Sequence, residues 1–258
     1  MKRKMHRLLK EDGRILIVAM DHTSFMDAPV EGLVKYGDTC RSVVPAGADA
    51  FLAPPGSIIR YGDAMGGAAA IASVDTTPPF LEVAVQRALE VGADAIKAMV
   101  YPFSGDETVH YAQRLAADAS RVGLPFIAEP IPGGFSRSDM RSPDIISAGA
   151  RIAAETGADI VKTFYTGDPV SMRQVIAYAM VPVVILGGSQ KDSVRELYQQ
   201  VYDAVVIAGC AGVAIGNNIW RNPDPAAITR GLAAIIHGGA SVDEALTLAG
   251  QTAELVAS

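Results

Sequence analysis

The run Gly157-Ala158-Asp159-Ile160-Val161-Lys162-Thr163-Phe164-Tyr165-Thr166-Gly167-Asp168 sets a lysine inside a short apolar stretch that opens on Gly-Ala-Asp and closes on Gly-Asp. An apolar run of this length, bounded by turn residues, predicts a buried strand. The opening recurs as Gly47-Ala48-Asp49 and Gly92-Ala93-Asp94, each time ahead of another β-rich run. In each, glycine is expected to close the preceding helix in a left-handed cap, and the short loop to feed the strand. Working outward, eight such runs are found: Ile15–Met20, Ala50–Ala53, Ala69–Val74, Ala95–Tyr101, Pro125–Ile131, Asp159–Phe164, Pro182–Leu186 and Gly212–Ile215. Between them lie helical patterns, among them Phe80–Glu90, Val109–Arg121, Ser142–Glu155, Pro169–Ala179, Asp192–Ala208 and Pro225–His237. Ala50–Ala53 and Ala69–Val74 are the weakest strands, because the Gly/Ala-rich stretch Gly66–Ala72 also reads as loop.

Strands separated by helices imply parallel β-α units with right-handed crossovers. Eight units in 258 residues fit a closed (β/α)8 TIM barrel, which typically needs ~250. A doubly wound open sheet would instead show a Gly-rich dinucleotide fingerprint after its first strand. Asp21-His22-Thr23-Ser24 stands there, and no linker or low-complexity tract divides the chain. The α/β chain is therefore read as one barrel domain over residues 1–258.

A lysine has little structural use in a buried strand. Desolvation favours its neutral amine, which is what Schiff-base chemistry on a carbonyl needs. The plain alternative is a lysine whose head reaches solvent or a carboxylate. In a barrel the chemistry sits at the C-terminal ends of the strands. Those ends carry Asp21 (strand one), Lys97 and Tyr101 (strand four), Glu129 (strand five) and Lys162 (strand six). Lys97, Met99 and Tyr101 share one face by the two-residue period. A second cation near Lys162 would depress its amine pKa and favour attack on a ketone. Glu129 would then shuttle protons, and Asp21 would orient substrate hydroxyls or take a hydroxyl proton. The purely structural alternative is two Lys–carboxylate pairs that plug the barrel.

Strands seven and eight end in Gly187-Gly188-Ser189 and Gly216-Asn217-Asn218. Loops at these places in barrels often bind phosphate through backbone N–H groups. A tight turn is the plain reading of Gly-Gly, and phosphate binding is the reading its pairing with a second glycine favours.

Half of the residues are hydrophobic, enough for a sizeable core. The net charge of −6 leaves no basic stripe for nucleic acid. The basic start, Met1 to Arg7, is expected to be a solvated beginning of the first helix, since no long apolar stretch follows it as a signal peptide requires. No run of ~18 apolar residues predicts a membrane span. Cys40 and Cys210 are far apart, which suits a reducing cytoplasm, and His6, His22, His110 and His237 form no metal-binding pair.

The chain resembles the class I, Schiff-base aldolases with (β/α)8 barrels, the group that holds deoxyribose-phosphate aldolase. Ala19-Met20-Asp21-His22, the Asp159–Asp168 stretch, Val183–Gly188 and Gly216-Asn217-Asn218-Ile219-Trp220 are similar to the archaeal-type fructose-bisphosphate aldolases. Relatives of that branch include an aminodideoxy-heptulosonate synthase and the autoinducer-2 phosphate thiolase. Ala93–Tyr101 and Pro125–Pro130 look more like the tagatose-bisphosphate branch, which also holds a sulfofructose-phosphate aldolase. The resemblance spans residues 14–225. It implies a Schiff base on Lys162, an acid/base or substrate-contacting Asp21, and Lys97 and Glu129 in the roles of the second lysine and the glutamate of the tagatose branch. Substrate contacts are expected from His22, Tyr101, Tyr165, Gly187, Gly188, Ser189, Gly216 and Asn217.

Two departures matter. Ile131-Pro132-Gly133-Gly134 stands where the archaeal type usually reads Tyr-Pro-Arg-Gly, which makes Glu129 the substitute for the missing tyrosine. Gly216-Asn217-Asn218 stands where Gly-Arg-Asn is usual, which removes a cation from the expected phosphate site. Arg60, Arg137 or Lys191 are the candidates to replace that charge. The expected activity is metal- and cofactor-free retro-aldol cleavage of a phosphorylated ketose by a cytoplasmic homo-oligomer. Schiff-base transfer of an acyl or three-carbon unit and a non-catalytic sugar-phosphate-binding barrel are the alternatives.

Overall fold

Eight parallel strands pair in sequence order, and the eighth closes on the first: β1 (Ile15–Ala19), β2 (Ala50–Ala53), β3 (Ala69–Ser73), β4 (Ala95–Val100), β5 (Phe126–Pro130), β6 (Ile160–Thr163), β7 (Val183–Leu186) and β8 (Gly212–Ile215). The structure is a computed structural model and describes residues 2–22, 30–74, 83–188 and 191–251. Every strand predicted from the sequence is present, including β3, whose Ala69–Ala72 pairs along β2 in spite of its Gly/Ala-rich approach. The sheet is the (β/α)8 TIM barrel that the alternating pattern implied.

Alternation along each strand sorts the core into two layers. Ile15 and Ile17 of β1, Leu52 of β2, Ile71 of β3, Ile127 of β5, Ile160 of β6 and Val184 of β7 fill the interior. The opposite parity, such as Leu16, Val18, Phe51, Phe126 and Val161, packs outward against the helices. Among the described residues the helices are α1 (Met5–Leu8), which packs instead on the interior layer, and α2 (Tyr36–Val43), α3 (Pro55–Met65), α4 (Ala84–Glu90), α5 (Glu107–Arg121), α6 (Pro143–Glu155), α7 (Pro169–Ala179), α8 (Val194–Tyr202), α9 (Asn217–Trp220), α10 (Pro225–Gly238) and α11 (Val242–Leu248). They bury one stripe each: α5 turns Tyr111, Leu115 and Ala119 to the sheet at four-residue spacing. The Gly-Asp that closes the diagnostic stretch starts α7. The Asp168 carboxylate accepts from the Val170 and Ser171 N–H groups at 2.8 and 3.2 Å, and Pro169 fills the first helical position.

The basic N-terminal segment is not a solvated helix start. Met5 and Leu8 are buried in the cluster that fills the barrel, so α1 plugs its N-terminal end. The charges around the plug explain the repeated Gly-Ala-Asp. Each aspartate accepts the first N–H groups of the preceding strand: Asp49 from Leu16 at 2.7 Å, Asp94 from Ala70 at 3.0 Å, Asp159 from Phe126 at 2.8 Å. Each also holds a cation from the plug: Lys10 on Asp49 at 3.3 Å, Arg7 on Asp94 at 3.4 Å, Lys2 on Asp159 at 2.8 Å. The motif is both a strand starter and an anchor for the segment that seals the barrel. Among the described residues no helix is long and apolar enough to cross a membrane.

Candidate active site

The inward parity that is apolar at the bottom of the barrel turns ionic at the top. Two residues above Ile71 is Ser73; above Ala95 is Lys97; above Ile127 is Glu129; above Ile160 is Lys162; above Ala19 is Asp21. These side chains form one chain of contacts. The Ser73 hydroxyl donates to Asp21 Oδ2 at 2.9 Å, and Lys97 Nζ donates to the same oxygen at 3.0 Å. Lys97 Nζ also lies 2.7 Å from Glu129 Oε2, and the other oxygen of that carboxylate lies 2.8 Å from Lys162 Nζ. Lys97 is 1 % exposed, Asp21 1 %, Glu129 6 % and Lys162 6 %, so two cations and two anions balance in a nearly dry layer.

Burial alone would raise the Asp21 carboxyl, but the Lys97 and Lys162 ammoniums and the Lys97 hydrogen bond outweigh it and hold it at about 2. Burial alone would lower the Lys97 ammonium, yet Asp21 and Glu129 keep it above its usual range. Burial likewise opposes the charge on Glu129, and Lys162 and Lys97 overcome it, so its carboxyl sits below the usual carboxylate range. His22 goes the other way: burial lowers it, so the imidazole is neutral near pH 7.

Above this layer opens a cavity of about 810 Å³. Lys162, Glu129 and Asp21 face into it, together with His22, Met99 and Phe164. Lys97 does not reach it and lies beneath, between the two carboxylates. An amine at the floor of a cavity, against a carboxylate able to move its protons, is the arrangement imine formation with a carbonyl ligand uses.

The remaining expected contacts divide. Gly187, Gly188, Gly216 and Asn217 line the cavity on the β7–β8 side. Gly188 has φ +63° with open space where a side chain would stand, so its backbone is approachable from the cavity. Gly216 is small for a different reason: a Cβ would meet the Ala19 carbonyl at 2.3 Å, where Trp220 Nε1 donates at 3.0 Å. That hydrogen bond docks α9 on the end of β1 and sets the Trp220 ring edge-on to His22. Asn217 Oδ1 is buried with no hydrogen-bond partner among the described residues. Ser189 lies outside the described residues.

The two tyrosines are not where substrate contact would put them. Tyr165 is three residues from Lys162 and therefore on the opposite parity; it packs into the outer core, where burial and the neighbouring Asp203 push its phenol up to about 12. Tyr101 falls just past the end of β4, packs edge-on against Phe135 and meets Met99 Sδ at 3.8 Å, behind the cavity wall. Nor do the candidate cations converge. Arg60 lines a separate recess with Tyr36 and Tyr61, Arg137 is paired to Asp139 and Lys191 to Glu196. Among the described residues a second cation besides Lys162 lines the cavity: Arg141, at the end of the loop after β5, with Phe135 and Ser138 of the same loop. Neither Arg141 nor Ser73 was expected from the sequence.

A family model described as DeoC/LacD family aldolase matches residues 15–222. The 2-amino-3,7-dideoxy-D-threo-hept-6-ulosonate synthase of Halobacterium salinarum is 32 % identical, with 94 % of each chain covered. A class 1 fructose-bisphosphate aldolase of Thermoproteus tenax is 30 % identical over 95 % of this chain and 98 % of its own. The solved structure of a Schiff-base-forming fructose-1,6-bisphosphate aldolase superposes with a TM-score of 0.77 at 30 % identity, covering 91 % of this chain and 99 % of the other.

Proposed function

Since the chain belongs to the DeoC/LacD family of class I, Schiff-base aldolases, we propose that it cleaves a phosphorylated ketose reversibly to dihydroxyacetone phosphate and an aldehyde, with the imine on Lys162. The observation that carries this reading is the Lys162 amine at the cavity floor, 2.8 Å from a carboxylate that is itself ion-paired to a second, deeper lysine.

Glu129 takes a proton from Lys162, and the neutral amine attacks the ketone carbon. The same carboxyl returns a proton to the carbinolamine hydroxyl, which leaves as water. The iminium then draws the electron pair of the carbon–carbon bond as a base removes the proton of the hydroxyl on the far carbon. Asp21, which faces the cavity, serves as that base or orients the hydroxyl. The aldehyde departs, the enamine is protonated on carbon, and hydrolysis frees Lys162. Lys97 stays cationic throughout and favours the ionised form of both carboxylates before the proton transfer and after it. The open backbone at Gly188 and the unsatisfied Asn217 Oδ1 suit the phosphate end of the donor, with its oxygens on the N–H groups and any hydroxyl on the amide.

The test is solvent exchange. In deuterated water the enzyme should label the hydroxymethyl carbon of dihydroxyacetone phosphate without any aldehyde, and should form a ketose phosphate when an aldehyde is added. EDTA should change neither rate. Absence of both exchange and condensation with a panel of aldehydes would refute the proposal. Exchange with product formed only from acyl acceptors would make the enzyme a transferase.

A further inference from the structure

The ionic layer beneath the cavity is balanced: Asp21 and Glu129 against Lys97 and Lys162. Among the described residues that line the cavity, Arg141 is the cation without an ion pair. It lines the same cavity as Lys162, and among the described residues no carboxylate pairs with it. Asp139, the acid next to it in the loop, is taken by Arg137 through two bonds of 2.8 and 2.7 Å. The Arg141 contacts are instead to carbonyls: Nη1 donates to Pro132 O at 2.5 Å and Met140 O at 2.8 Å, and Nη2 to Gly134 O at 2.9 Å. Its face lies over the Phe164 ring, 4.6 Å from the centroid.

Those contacts hold the guanidinium in place without an ion pair among the described residues, and the field of the nearby Asp139, itself paired to Arg137, offsets its charge only in part. Three of its five N–H groups are used, which leaves Nε–H and one on Nη2. Burial works against the charge. A cation fixed by neutral partners and an aromatic face is prepared to receive an oxyanion with little further ordering. Its position separates it from the donor end. Arg141 and Phe164 belong to the β5–β6 side of the mouth, and Gly188 and Asn217 to the β7–β8 side, with Lys162 on the floor.

We propose that Arg141 binds an oxyanion on the aldehyde half of the substrate and so sets a preference for anionic over neutral aldehydes. This deepens the aldol reading above and rests on it. Phosphate, sulfonate and carboxylate all offer oxyanions to a guanidinium, and the acceptors used below separate them.

The full-length enzyme, Arg141→Gln and Arg141→Lys are compared in condensation of dihydroxyacetone phosphate with glyceraldehyde 3-phosphate, its 3-sulfonate counterpart, succinic semialdehyde and neutral glyceraldehyde. Wild type should favour at least one anionic aldehyde. Arg141→Gln should lower kcat/KM for it about 100-fold more than for glyceraldehyde, chiefly through KM, and Arg141→Lys should recover part of the loss. Equal losses on anionic and neutral aldehydes would overturn the proposal and leave Arg141 as a tie for its loop. So would a loss confined to dihydroxyacetone phosphate, or no loss at all. Calorimetry with glycerol 3-phosphate, and glycerol as control, separates this from failure of the aldol reading. If no condensation occurs, weaker anion binding in Arg141→Gln still supports the anion site, and unchanged binding refutes it.

Discussion

Glu129 touches Lys162 with one carboxylate oxygen and Lys97 with the other, at 2.8 and 2.7 Å. One carboxylate thus couples the amine at the cavity floor to the ammonium buried beneath it. When Lys162 gives up a proton, Glu129 is the acceptor in reach, and Lys97 keeps the layer from gaining net negative charge.

Replacing Glu129 by Gln keeps the shape and removes the proposed proton carrier. Turnover should fall by about 10²–10⁴, the range for an acid/base group. Reductive trapping on Lys162 should persist at a slower rate. The comparison is kcat for cleavage against the rate of trapping. A variant that cleaves within about tenfold of wild type would show that another group moves the protons.

Lys97→Met leaves Asp21 and Glu129 facing one cation instead of two. Breaking a buried ion-pair network in this way costs about 3–5 kcal/mol, read as a lower denaturation midpoint. Turnover should drop by about 10²–10⁴ as well. Adding Asp21→Asn should restore part of the stability and none of the activity, because the residual negative charge is removed. If Lys97→Met is as stable as wild type, the charge balance described here is not what holds this layer.

Leu8 is fully buried inside the lower end of the barrel. Leu8→Ala should therefore destabilise by about 2–5 kcal/mol, as for an interior leucine. The exposed Leu248 truncated to alanine gives the surface reference, within about 0.5 kcal/mol. Equal effects in urea denaturation would mean that α1 does not seal the barrel.

His237 stands between two carboxylates, with Nε2 2.9 Å from Asp49 and Nδ1 2.7 Å from Asp12. The Asp49 hydrogen bond raises it most, against burial, with Asp12 adding to the rise. A raised folded-state value means that the stabilisation is complete below the unfolded value of about 6.5. It is lost as the pH climbs through the folded value. His237→Gln should lower the melting temperature more at pH 5.5 than at pH 9, with a difference on the order of 1 kcal/mol for a partly solvated site. The same deficit at both pH values would show that the contacts act without the charge.

The strands and the two strand lysines were legible because their signals are local: a charge in an apolar run is unusual wherever it occurs. Tyr165 was expected at the site, but it stands three residues from Lys162, on the opposite parity, and faces the helices. Ser73 gave no sign, because one serine at the end of a small-residue strand is ordinary until Asp21 is seen across the barrel. Arg141 was hidden by its place at the end of a Gly/Ser-rich loop, where only the fold brings it back over Phe164. The basic N-terminus looked solvated because its partners, Asp49, Asp94 and Asp159, are spread through the chain.

The central claim is that Lys162 forms the imine. Borohydride reduction in the presence of dihydroxyacetone phosphate, followed by peptide mass mapping, tests it most directly. A single adduct on Lys162 is expected, retained in Lys97→Met and absent in Lys162→Met. An adduct on Lys97, or trapping that survives in Lys162→Met, would contradict it.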